Sequence, residues 1–491
     1  MTADPSPSAR PRRHRVRSAA LLLLAGCSSG GGERRGADTP RGDPPELADV
    51  ALIHVTVLDG RGSQPLRDAT ILVRGGRILA VGPSSRTAVP RGTRVLDLPG
   101  HVVTPGFIDM HYHVTTGAMR YRRDDAGTLD STYDRALAER LLRVALSRGI
   151  TTIRDPGASP VSAAIALRDD VAAGRVLGPR IFTAGEILSN PRLTEEQIRA
   201  AVRSQAAAGV DYVKLYAGVG PDQLRAAVDE AHRHGLKVIG HLQRTSWTEA
   251  ALGSIDFVTH AGNWHPAYIP ADRRAAYAEL GGGMRARIAW LEWLDLDGAA
   301  VDSMVRVLRE RDVSVDPTLV AYHTKFWWRD SVYQHDPDSA LVPEVLANWR
   351  VLGMHTADWS PAEFDRVQAA WPKQLALVRK LHRGGVLLTA GSDLASPWVI
   401  PGVSFHQELS LLESAGLSRG EVLSVATWNG ARALGIAADA GTVEVGKRAD
   451  LVVLDADPLA DIANTRRIAY VILGGTLHRP GELLGEARSD E

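Results

Sequence analysis

Cysteine is almost missing from this 491-residue chain, Cys27 being the single one. Intrachain disulfides are thereby excluded, and any metal site beyond that position must be built from nitrogen and oxygen ligands. Net charge is missing as well, because 57 lysines and arginines balance 57 aspartates and glutamates. The chain thus lacks the basic excess on which nucleic-acid binding draws, and no nucleic-acid partner is expected. No apolar run approaches the roughly 18 residues of a membrane span. No glycine-rich phosphate loop is evident either, which weighs against an open doubly wound nucleotide-binding sheet.

What is present begins with the environment of that cysteine. Cys27 ends Leu21-Leu-Leu-Leu-Ala-Gly-Cys27, behind arginines at 10, 12, 13, 15 and 17. A basic start, a short apolar run and small residues before a cut describe a secretory signal. Leu24-Ala-Gly-Cys27 resembles a bacterial lipobox, which implies export and lipid anchoring to the cell envelope through Cys27. A misassigned start would leave the protein cytoplasmic instead. Residues 1–27 are therefore read as a lipoprotein-type signal segment. The Gly-, Ser- and Arg-rich residues that follow, 28–47, are read as a flexible tether. Any membrane contact is expected only through that anchor.

Short alternating strands punctuated by glycine recur at both ends, as in Ala51–Val57 and Ile468–Leu473. They predict one small β-sandwich assembled from residues 48–103 and part of 411–480, with a tail at 481–491. Between them, strands alternate with Ala/Arg/Glu-rich helices such as Thr194–Ala208 and Asp222–His234. Eight strands are expected at Val102–His113, Thr151–Asp155, Arg180–Gly185, Tyr212–Ala217, Lys237–Leu242, Phe257–Ala261, Val313–Leu319 and Val386–Asp393. The fold class is accordingly α/β, a (β/α)8 TIM barrel over 104–410 inserted in the sandwich, with its last helices in 411–480.

The polar residues at the ends of those strands carry the chemistry. His111 and His113 lie two apart in Thr104-Pro-Gly-Phe-Ile-Asp-Met-His-Tyr-His113, so both imidazoles point to one face and can meet one metal ion. Lys214, His241, His260 and Asp393 close other strands, on the rim where barrel active sites sit. Each alone could be a core histidine, a buried ion-pair partner or a helix cap; six on one rim point to a site.

Pro105-Gly-Phe-Ile-Asp-Met-His-Tyr-His113 resembles the first-strand signature of the metal-dependent amidohydrolase superfamily. The later Lys, His, His and Asp complete that superfamily's ligand set, and Gly441–Leu451 resembles its C-terminal sandwich strands. The resemblance spans about residues 48 to 480. It is nearest the imidazolonepropionase-related and prolidase-like branch, which Gly402-Val-Ser-Phe-His406 and Ala426-Thr-Trp-Asn429 also resemble. One departure is Thr259 before His260, where the prolidase-like branch usually has an acidic residue.

The resemblance implies that His111, His113 and Asp393 hold one divalent ion and His241 and His260 a second. Lys214, carboxylated by CO2, would bridge them, since a free lysine with a pKa near 10.4 is a cation without a lone pair to give. Zinc suits this set, though manganese, cobalt or iron fit it too. A metal-bridging hydroxide would attack a small-molecule amide, dipeptide-like, N-acyl amino acid or cyclic, with Asp393 as general base turned general acid. A lactone or ester hydrolase on the same site, or a non-catalytic ligand-binding lipoprotein, are the competing readings. Asp109 and His406 are expected to be structural. Tyr216 and His323 are candidates for substrate contact, and a homo-oligomer is compatible with the sequence. Nine of the 11 tryptophans fall between Trp264 and Trp398, which predicts either an aromatic substrate groove or helix packing.

Overall fold

In a computed structural model the described residues are 49–485, all within one compact unit. The signal segment and tether expected over 1–47 lie outside them. Five strands open the described chain: β1 (Val50–Val57), β2 (Leu66–Arg74), β3 (Arg77–Pro83), β4 (Arg94–Asp97) and β5 (Val102–Pro105). Then come β6 (Phe107–Asp109), a hairpin of β7 (Met119–Arg123) and β8 (Leu129–Tyr133), β9 (Ile150–Asp155) and β10 (Arg180–Thr183). After these follow β11 (Tyr212–Leu215), β12 (Lys237–Gly240), β13 (Phe257–Thr259) and β14 (Ser314–Asp316). The last three are β15 (Leu451–Leu454), β16 (Ile468–Leu473) and β17 (Thr476–His478).

The two ends of the chain meet in one sheet of order β17-β16-β15-β5-β1-β2-β3, with β4 added beside β1. Alternation explains it. Val55, Val57, Ile71, Val73, Val103, Leu451 and Val453 pack together on one face. Their neighbours Val102, Val452 and Leu454 face the other way, into the main core beside Phe107, Leu142 and Ile150. Val103 sits opposite Val453, which ties two residues 350 positions apart.

The middle of the chain forms parallel strands, β6-β9-β10 and β11-β12-β13-β14, with helices between them. Single parallel bridges continue the pairing, Ala184 to Tyr212 between the two groups and Val315 to Leu388 beyond β14. The segment around 388–394 also bonds back to the first strand's end. Met110 N–H donates to Ala390 O at 2.8 Å, and Asp393 N–H donates to His111 O at 2.7 Å.

Two expectations need adjustment. Val102–His113 is not one strand: its first part joins the terminal sheet and its second the parallel set, with Gly106 at the junction. A Cβ there would lie 2.1 Å from Thr151 Oγ1, so the two sheets can diverge only at glycine. The last segment, expected as a strand over Val386–Asp393, is held by isolated bridges at Leu388 and Leu394 instead, and Asp393 at its end is left-handed (φ 59°). Among the described residues no helix is long and apolar enough to cross a membrane.

Candidate metal centre and active site

The strand ends converge on a cavity of about 1050 Å³ lined by His111, His113, Lys214, Tyr216, His241, His260 and Asp393. Nε2 of His111 lies 3.3 Å from Asp393 Oδ1, and Nε2 of His113 lies 3.7 Å from the same oxygen. Donor atoms of these three residues all fall within 4.8 Å of one another. The imidazoles continue in a chain, with ring centroids 5.0 Å apart for His111 and His260 and 4.2 Å for His260 and His241.

The fold sets which nitrogen of each ring faces inward. Nδ1 of His111 contacts Asp316 Oδ2 at 2.5 Å, and Nδ1 of His113 contacts the Gly157 carbonyl at 2.9 Å. Both partners only accept, so each Nδ1 carries the proton and each Nε2 keeps its lone pair. His260 likewise makes its contact to the fold through Nδ1, 2.7 Å from Thr318 Oγ1, which turns Nε2 away from that hydroxyl. His241 Nε2 is buried with no hydrogen-bond partner among the described residues. Ser396 Oγ donates to Asp393 Oδ2 at 2.9 Å, leaving Oδ1 turned toward the histidines.

Burial dominates the electrostatics. It holds His111, His241 and His260 well below the usual imidazole range, with the positive charge of Lys214 adding to it. Burial also opposes charge on His113, but the hydrogen bond and charge of Asp155, with Asp393, more than offset it and raise its pKa. Lys214 Nζ is buried with no hydrogen-bond partner among the described residues, and burial pushes it down to about 8. Neutral imidazoles at His111, His241 and His260, beside a depressed lysine, suit a site prepared for cations.

The remaining expected residues lie as follows. Tyr216 lines the cavity, with its ring centroid 4.2 Å from that of His241. Asp109 Oδ1 accepts from the backbone N–H of both His111 and Ser392 at 3.0 Å, joining the two strand ends that carry the ligands. His406, buried on the helix Val403–Ser414, is spanned between Thr465 Oγ1 and the Arg148 carbonyl, 3.0 Å each. His323 is not among the cavity-lining residues. Its ring stacks on Trp327 at 4.2 Å, and its Nδ1 meets the Tyr333 hydroxyl at 2.6 Å. The tryptophans mainly pack: Trp264 against Trp290 at 5.1 Å, Trp327 against Trp371 at 5.5 Å. Only Trp359, among described tryptophans, lines the cavity.

Sequence reasoning overlooked Asp316, Arg154 and Thr318. Asp316, at the end of β14, bonds His111 on one oxygen and meets Arg154 at 3.3 Å on the other. The sequence shows a carboxylate there, but not which way its side chain turns before Pro317. Also unforeseen were Arg287, Tyr322 and Lys325 in the cavity wall, which come from helices after β13 and β14.

The pattern of the amidohydrolase family matches residues 102–477. The imidazolonepropionase of Pseudomonas savastanoi pv. phaseolicola is 26% identical over 420 residues, covering 81% of this chain and 90% of its own. That of Deinococcus radiodurans is 26% identical over 447 residues, with 89% and 96% covered. Among solved structures, a candidate prolidase from Bifidobacterium longum superposes with a TM-score of 0.64 at 27% identity, over 90% of this chain and 99% of that one. Taken with the converging histidines, lysine and aspartate, these similarities settle the family. The chain belongs to the amidohydrolase family, in its imidazolonepropionase-related and prolidase-like branch of metal-dependent hydrolases acting on carbon–nitrogen bonds.

Proposed function

We propose that this amidohydrolase cleaves the amide of a small dipeptide-like, N-acyl amino acid or cyclic substrate with two divalent ions at the strand ends. One observation carries the reading: Lys214 Nζ, buried and without a hydrogen-bond partner, stands among four imidazoles and Asp393 in one cavity. An ammonium buried without partners is costly, whereas a carbamate on that nitrogen would satisfy itself against cations. A pKa near 8 also leaves part of the amine neutral, the form that can attack CO2. His111, His113 and Asp393 would hold one ion, His241 and His260 the other, and carboxylated Lys214 would join them. The all-nitrogen-and-oxygen set suits zinc.

When bound, the ions would acidify the attacking water toward neutral pH and polarise the scissile carbonyl. Asp393, at the edge of that cluster, takes the water's proton and delivers it to the leaving nitrogen. Asp316 and Thr318 fix the rings of His111 and His260, so the ligand geometry does not have to be assembled at each turnover. Tyr216, exposed at the cavity wall, is placed to hold the substrate.

The same reading closes the parallel strands into an eight-stranded barrel through the bonds of 388–394 to both β14 and the first strand's end. The terminal sheet would be the sandwich companion of that barrel. Export and anchoring through Cys27 belong to the same proposal, and intact-mass measurement of the membrane fraction tests them. For the site, metal content per chain is the decisive measurement. About two divalent ions are expected, falling below one in Lys214→Ala with loss of at least about 100-fold in hydrolysis. One ion or fewer, indifferent to Lys214, would sink the two-ion reading.

A further inference from the structure

The helix Leu319–Trp327 starts directly behind Thr318, and its first turn lacks the cap that its own sequence could supply. Thr318 holds the N-cap position, where a threonine hydroxyl ordinarily accepts from the backbone N–H two or three residues on. Here it makes no such bond. The Thr318 backbone is left-handed at φ 44°, and Oγ1 lies 2.7 Å from Nδ1 of His260 instead. The hydroxyl that would finish the helix is diverted to a histidine of the candidate site. Leu319 and Val320 are fully buried, so water cannot stand in for it, and an unmade bond there would be costly.

A carboxylate from a distant part of the chain fills the gap. Glu408, fully buried on the helix Val403–Ser414, accepts the Val320 N–H on Oε2 at 2.7 Å and takes a second backbone bond from Leu319. The next donor, Ala321 N–H, goes to the Thr318 carbonyl at 3.2 Å, so the first turn is satisfied. Among the described residues the Glu408 side chain makes its hydrogen bonds only to this helix start. Burial pushes Glu408 up to about 8, against those two N–H groups, so a carboxyl is an expensive filler here. Glu408 does not line the cavity. What it holds does reach the site: Thr318 meets His260, and Tyr322, one turn into the same helix, lies edge-on to the His260 ring with centroids 5.6 Å apart.

We infer that Glu408 is a positioning residue for His260: by capping the helix Leu319–Trp327 in place of Thr318, it leaves the Thr318 hydroxyl to the histidine ring. The inference rests on the reading of His260 as an ion ligand. Glu408 acts by reach, since its oxygen stands where the Thr318 hydroxyl would otherwise be drawn. Without that oxygen, the Val320 N–H and the His260 ring compete for one hydroxyl, and the ring loses its fixed orientation.

Two variants of the full chain separate reach from charge. Glu408→Gln keeps the length and one carbonyl oxygen for the Val320 N–H, whereas Glu408→Asp keeps the charge and withdraws it by one methylene. Zinc affinity, read by competition against a chelator, should fall at least about tenfold for the weaker ion in Glu408→Asp and stay within about threefold in Glu408→Gln. In a Thr318→Val background, Glu408→Asp should cost no more than about a further twofold, because the hydroxyl it serves is gone. On the metal-free chain, amide hydrogen exchange over 319–327 should quicken in Glu408→Asp and not in Glu408→Gln. Thermal melting of each variant checks the fold. Unchanged affinity in Glu408→Asp overturns the role, and so do losses that multiply with Thr318→Val. Glu408→Gln is the variant expected to fold in any case, and a tenfold loss in it overturns the role by itself. One ion or fewer in the unsubstituted chain would defeat the two-ion reading instead. The cap is then decided by exchange alone: quickening in Glu408→Asp only upholds it, and any other pattern overturns it.

Discussion

Thr318 does two things that conflict. Its Oγ1 holds the ring of His260, yet its backbone is left-handed at φ 44°, a region a β-branched residue enters only at a cost. His260 and Asp393, with φ of 71° and 59°, share that conformation, so strain gathers where the ligands are. The hydroxyl explains why threonine is worth its strain here. Thr318→Val should weaken retention of the more loosely held ion by about 10–100-fold, whereas Thr318→Ser should retain it. Competition against a metallochromic chelator measures both, and equal retention in the two variants would remove the role given to Oγ1. These residue-level facts also divide what the sequence disclosed from what it hid. His111, His113, Lys214, His241, His260 and Asp393 were legible because each lies at or just beyond the end of an apolar segment, which puts them on one rim. Asp316 and Thr318 flank Pro317, where β14 ends and a helix begins at Leu319, and no pattern tells which side chain turns inward across such a corner. Arg287 and Lys325 lie on helices, where a cation reads as solvent-facing until the neighbouring wall is known.

Elements were more legible than their partners. The helix expected from Thr194 forms over Glu195–Ala208 because Thr194 accepts from Gln197 N–H while the Gln197 side chain accepts from Thr194 N–H. The same box recurs before Arg419–Ser424. There Ser418 Oγ donates to Glu421 at 2.7 Å, and His382 meets that carboxylate at 2.9 Å from the end of the helix Pro361–Arg383. The Ser418 hydroxyl, then His382 and the Ser418 backbone, outweigh partial burial and hold Glu421 down to about 2. A folded-state pKa below the unfolded value means stability that is complete above about pH 4.5 and lost as pH falls toward 2. Glu421→Gln should therefore cost up to about 1 kcal/mol near neutrality, allowing for screening of a half-exposed carboxylate, and nothing near pH 2. Denaturant titrations at pH 6 and pH 2.5 check this; a constant difference would mean that charge is not the cause. What the sequence could not show is how one apolar run serves two sheets. Val102–Asp109 has strand character throughout, and the division at Gly106 follows from Thr151 on a different strand.

At the scale of the whole molecule, the terminal sheet has a bearing on how the protein is made. Its inner strand β5 is flanked by β1, close by in sequence, and by β15, about 350 residues later. Synthesis at roughly 5–20 residues per second leaves that edge of β5 uncovered for some tens of seconds. Meanwhile Val102 and Val103 present open backbone groups and apolar side chains to any other nascent strand. The segment that ends the hazard contributes nothing to the metal centre. A chain stopped after Gly446 keeps every proposed ligand, yet it should sediment as aggregate, whereas the full chain stays in the supernatant. Recovery of soluble, zinc-binding truncated protein would show instead that the parallel half folds by itself. If the edge matters as argued, β15 to β17 act as an in-built chaperone, delivered last, and the efficiency of folding in cells should depend on how quickly the ribosome reaches them.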